Sequence, residues 1–126
     1  MKQEGRNYLI FLEDMIVSID RILNYTNGMT PIEFKNNQLV VDAVIRNFEI
    51  LGEASQKVPL SVRNIHTEIP WKQMYGLRNL ASHEYFGVDV DMIWKILSEH
   101  LPSNRKDLER ILDEKRGTQR QGDLGL

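Results

Sequence analysis

The sequence predicts an all-α protein, and three observations carry that prediction. Apolar residues recur at alternating steps of three and four along most of the chain. Helix-boundary residues fall where those stripes begin and end. The period-two, β-branched runs with Asn-Gly turns that mark a sheet do not occur. The expected architecture is a bundle of four or five antiparallel helices joined by short connections.

The first stripe is Tyr8, Leu12, Met15, Ile19, Ile22 and Leu23, which predicts a long helix over about 5–27 with Gly28 as its terminator. Thr30, Pro31 and Glu33 then form a capping box with proline at the first helical position. Asn36, Asn37 and Gln38 interrupt or restart the helix. The next stripe contains Leu39/Val40, Ala43/Val44, Phe48, Leu51, Ala54 and Val58, and Pro59 stops it. Gly52 lies inside this run at a cost of roughly 1 kcal/mol relative to alanine, which points to close approach of a neighbouring helix.

Residues 59–70 form a connector bounded by two prolines, with room for one helical turn. Trp71, Met74/Tyr75 and Leu77/Leu80 then pack as a further helix, with Gly87 as terminator. Asp89 caps the next one, whose stripe is Val90, Ile93, Trp94, Leu97 and Leu101. Pro102 or Ser103 opens the last, with Leu108, Ile111 and Leu112, and Gly117 is expected to end it. The predicted organisation is therefore one helical domain over 1–116 and a flexible, disordered tail over 117–126.

Composition narrows the function classes. With 126 residues, 41% of them hydrophobic and 27% charged, the chain reads as one soluble globular domain. No apolar run reaches the roughly 20 residues of a membrane span, and the N-terminus does not have the pattern of a signal peptide. The absence of cysteine removes disulfides, thiolate metal sites and thiol nucleophiles, and is compatible with a reducing cytoplasm. A net charge of -2 argues against a broad non-specific nucleic-acid coat. A local patch remains: between Arg63 and His83 the cations are Arg63, Lys72 and Arg78, and the only acid is Glu68.

The stretch RNLASHEY, residues 78–85, carries the chemistry. Arg78 offers a permanently charged planar fork suited to phosphate, and His83 titrates near neutrality. On one straight helix the pair would be about 140° apart and rise about 7.5 Å. They border one pocket if the helix ends near Ser82. On physical grounds alone, a structural reading carries the greater weight at this point. Arg78 can pair with Glu53 or Glu49, His83 can sit on a helix C-terminal dipole, and Tyr85 can be a core-edge residue. His66 and His100 suit packing or capping roles, and the three histidines do not show zinc spacing. Arg105, Lys106, Arg110, Lys115, Arg116 and Arg120, interleaved with acids, read as a solvated helix face.

RNLASHEY resembles the Arg-x4-6-His signature of HEPN domains, and more narrowly the R-x4-H-x-Y form of HepT toxins in MntA–HepT-type toxin–antitoxin pairs. The likeness extends to Gly52-Glu53-Ala54, to Pro70-Trp71, to the GLRN run ending at Asn79, and over about residues 7–113 in all. It implies a dimerising helical bundle acting as a metal-independent endoribonuclease without cofactors. By that resemblance Arg78 and His83 would be catalytic at a dimer cleft. Asn79 would hydrogen-bond the phosphate or orient a partner group, and Glu53 stands beside the site as a supporting residue that pairs with Arg78, the weightier reading, or orients His83. Tyr85 would be the tyrosine that a nucleotidyltransferase antitoxin, MntA-like, modifies with AMP. RNA would be the substrate and the cytoplasm the location. The alternative is a non-catalytic HEPN module that binds nucleotides or RNA beside a nucleotidyltransferase.

Overall fold

The computed structural model describes the backbone of residues 2–82 and 89–123, and side chains over 8–79 and 89–117. It is all-α, as expected, with no strand among the described residues. Its elements are α1 (Lys2–Tyr25), α2 (Pro31–Lys35), α3 (Gln38–Lys57), α4 (Leu60–Ile65), α5 (Trp71–Ser82), α6 (Val90–Glu99) and α7 (Leu101–Asp123). Five long helices match the expected count, and α2 and α4 are short additions at the capping box and in the proline-bounded connector. No described helix is long and apolar enough to cross a membrane.

The boundaries follow from local chemistry. After α1, Thr26 donates its hydroxyl to the Ile22 carbonyl at 2.8 Å, and Gly28 takes φ +78°, a region that disfavours a Cβ. The capping box at α2 is reciprocal: the Glu33 amide donates to Thr30 Oγ1 at 3.1 Å, and the Thr30 amide donates to Glu33 Oε1 at 2.9 Å. The asparagines do restart the helix, because Asn37 Oδ1 accepts the Val40 amide at 3.1 Å and caps α3. Asp89 Oδ1 accepts the Met92 amide at 3.0 Å and caps α6.

Three expectations shift. The α3 stripe runs through Val41 rather than Leu39, which is 81% exposed, because Val41 stands three residues before Val44 and seven before Phe48, on the buried face. The last helix opens at Leu101 instead of Pro102 or Ser103, and Pro102 fits in its first turn, where an amide has no intrahelical acceptor. It also continues through Gly117 to Asp123, since one glycine weakens a helix without compelling it to stop.

The core joins the apolar faces of α1, α3, α5, α6 and α7. Leu12, Met15, Ile19 and Ile22 of α1 meet Val44, Phe48 and Leu51 of α3, and Ile93, Leu108 and Ile111 complete the cluster. The α3 helix is central, packed on α1 to one side and α5 to the other. Phe34 fixes α2 through a tilted ring contact with Trp94 of α6, with centroids 5.3 Å apart. The charged face of α7 is more than solvated surface. Arg105 bonds Asp20 of α1 at 2.5 Å and also pairs with Glu109, while Arg116 bonds Glu13 of α1 at 2.5 Å.

Candidate functional site

Arg78 lies on the last turns of α5, where that helix crosses α3 almost without spacer. A Cβ built on Gly52 would lie 3.0 Å from Arg78 Cβ, 3.0 Å from the Arg78 amide nitrogen and 3.1 Å from the Met74 carbonyl oxygen. The expected close approach at Gly52 is thus a backbone-to-backbone contact directly beneath Arg78. Ser55, which did not stand out in the sequence, reinforces the same turn: its buried hydroxyl donates to the Gly52 carbonyl at 2.7 Å. A serine one turn after a helical glycine is its only signal.

Next to Gly52, Glu53 faces the guanidinium. Its Oε1 is 3.7 Å from Arg78 Nε, and the two side chains are 51% and 48% exposed. Of the carboxylates expected near Arg78, Glu53 is the one the structure pairs with it within 4.0 Å. Such a half-exposed pair is worth about 0–1 kcal/mol. It orients the fork without locking it. Asn79, exposed on the next position of α5, is engaged in interactions of its own. His83 and Tyr85 lie outside the described residues.

The other histidines serve the scaffold. His66 caps the end of α4 and is buried, its carbonyl accepts the Trp71 indole N–H at 2.8 Å, and its Nδ1 is 3.8 Å from Glu68 Oε2. His100 caps α6 through its amide and opens α7 through its carbonyl, which accepts from Asn104 at 3.1 Å. Among the described residues no three histidines or carboxylates gather as a metal site.

Glu68 is held on the α7 side of the connector by Arg110 at 2.6 Å. A bond from its own backbone amide, then those to Arg110 and the charge of His66, keep its carboxyl below the ordinary glutamate range against the pull of burial.

These features define a class: a small all-α bundle that presents an exposed arginine from a tight helix crossing, one turn before a histidine-bearing segment. Comparison with known proteins narrows it. Residues 15–113 match the family model described as ribonuclease HepT-like, and the chain belongs to this HepT-like family of HEPN proteins. A protein of Methanocaldococcus jannaschii named "putative RNase" is 39% identical over 106 residues, covering 84% of this chain and 97% of that protein. A "probable ribonuclease HepT" of Thermococcus cleftensis is 37% identical over 111 residues, covering 88% and 98%. A further "putative RNase", from Caldanaerobacter subterraneus subsp. tengcongensis, is 29% identical over 106 residues, covering 84% and 95%. No solved structure matches the chain.

Proposed function

We propose that the protein is a metal-independent endoribonuclease, the toxin of a type VII-like toxin–antitoxin pair acting in the cytoplasm. The observation that carries the reading is family membership together with an exposed Arg78 fixed at its root by Gly52. In the proposed reaction His83 takes the proton of an RNA 2′-hydroxyl, and that oxygen attacks the adjacent phosphorus. The bond to the 5′-oxygen breaks, and the leaving oxygen receives a proton from an imidazolium, His83 of this chain or of a second copy. The products are a 2′,3′-cyclic phosphate and a 5′-hydroxyl.

Arg78 binds the phosphate and stabilises the charge gathering on its equatorial oxygens. Its ion pair with Glu53 is weak enough for a phosphate to displace, because a bidentate charge-assisted contact exceeds a half-exposed one in strength. Asn79 contributes a further hydrogen bond to the phosphate. A homodimer would bring two copies of Arg78 and His83 to one cleft and double its positive charge. AMP placed on Tyr85 by a nucleotidyltransferase antitoxin would add bulk and negative charge beside that cleft and so exclude RNA.

The test is cleavage of labelled transfer and messenger RNA in EDTA by wild type and His83→Ala, on protein whose intact mass shows no added AMP. Cleavage by wild type alone supports the reading, and equal cleavage by both removes His83 from the mechanism. Binding without cleavage would favour a non-catalytic RNA-binding module. Sedimentation at micromolar concentration reads the dimer. Label transfer from ATP that persists in Tyr85→Phe would exclude Tyr85 as the sole acceptor.

A further inference from the structure

We infer that the groove between α4, the end of α3 and the first turns of α5 is an accessory subsite for single-stranded RNA, holding nucleotides that flank the phosphate at Arg78. This rests on the ribonuclease reading for its purpose, but not for its test.

The groove has a volume of about 510 Å³ and is lined by polar groups from Gln56, Asn64 and Thr67, by the cations Arg63 and Lys72, and by Tyr75. No carboxylate among the described residues lines it. Arg63 donates its Nε to the Val58 carbonyl at 2.9 Å, which steadies the side chain while leaving its charge uncompensated. Lys72 is exposed, and among the described residues neither cation has an acid within 4.0 Å. The connector's acid, Glu68, does not line the groove, and Arg110 of α7 holds it at 2.6 Å. The result is a local positive strip on a chain of net charge -2.

Register connects the groove to Arg78. Trp71, Tyr75 and Arg78 stand at i, i+4 and i+7 of α5, one stripe of a helix. On α3, Gln56 follows Glu53 by three residues and Gly52 by four, so the groove wall and the arginine's partners also share a face. Lys72 lies about 9 Å along α5 from Arg78 and about 120° round the helix, so it lines the groove from beside the Trp71–Tyr75–Arg78 stripe and not on it. Trp71, buried, and Tyr75, half-buried, line the groove with the two cations, and Tyr75 stands one helical turn before Arg78. Cations flanking an aromatic platform are the components by which single strands are bound without regard to sequence.

The experiment measures binding of a labelled single-stranded RNA with 2′-O-methyl riboses, which lacks the attacking hydroxyl, as a function of salt. Arg63→Ala/Lys72→Ala should weaken binding on the order of ten-fold and make the salt slope shallower by about 1.4, two phosphates at about 0.7 each. Tyr75→Ala should lose about five-fold or more, and Tyr75→Phe should retain wild-type binding. Lys72→Ala alone, at an exposed position, guards against loss of fold and should account for about half the slope change. Wild-type affinity and slope in the double variant would overturn the subsite, as would failure of wild type to bind the probe. If the variants lose binding but wild type cleaves no RNA in EDTA, the subsite stands and the ribonuclease reading falls. If wild type cleaves while all variants bind like wild type, the reverse holds.

Discussion

Replacing Gly52 with alanine tests the α3–α5 crossing through the sign of its effect. Helix propensity alone favours the change by about 1 kcal/mol. The new methyl, however, would meet Arg78 Cβ and N at 3.0 Å and the Met74 carbonyl at 3.1 Å. These distances are shorter than ordinary van der Waals contact, so the neighbours must give by roughly a few tenths of an ångström. All three neighbours are backbone atoms or the root of a side chain, and no rotamer change relieves them. Helix α5 must shift, at an overpacking cost of about 1–3 kcal/mol. The net expectation is a loss of about 0–2 kcal/mol, read in urea as a lower midpoint with an unchanged m-value. Gly76 supplies the control, since a Cβ there has nothing within 4 Å. Gly76→Ala should stabilise by up to about 1 kcal/mol. If Gly52→Ala also stabilises by that amount, the crossing is not as tight as argued and Arg78 is not gauged by it. In the ribonuclease assay the same shift should lower kcat/KM by about ten-fold or more, because sub-ångström displacement of a phosphate-binding group is costly.

Phe34→Ala should cost about 3–5 kcal/mol in urea unfolding, because the ring is fully buried and ties α2 to Trp94 of α6. Thr30→Ala removes one side of the capping box and should cost about 0.5–2 kcal/mol, measured the same way. The depressed Glu68 carboxyl adds stability that is complete above the ordinary glutamate value of about 4.3 and is lost as pH falls through its lower folded value. Thermal midpoints of Glu68→Gln should therefore fall less steeply than wild type below about pH 4 and differ little in slope near neutrality. Glu53→Gln should change stability by less than about 1 kcal/mol, as its partner Arg78 is half exposed.

The helix order was legible because each boundary has a local cause: Thr30, Asp89, Gly28 and Pro59 act within a few residues of themselves. The Gly52 approach was also legible, since a glycine inside a strong helical stripe needs a reason. The start of the α3 stripe was blurred because Leu39, Val40 and Val41 are consecutive apolar residues, and only their spacing from Val44 and Phe48 marks Val41 as the buried one. The role of the α7 charges was hidden for another reason. Asp20 and Arg105 are 85 positions apart, and no local pattern announces such a pair. Of the site, Arg78 and Glu53 were named from motif and found adjacent. Their pairing over Glu49 depended on which face of α3 meets α5, a tertiary fact.

The clasp between α1 and α7 also has a consequence for the order of events during synthesis. Glu13 waits for Arg116, 103 positions later, so the α7-facing side of the first helix stays uncovered until most of the chain has emerged from the ribosome. The α3–α5 crossing that seats Arg78 needs no such wait, being built from segments that leave within a few seconds of each other at about 5–20 residues per second. The arginine's seat can therefore be assembled while the bundle around it is still open.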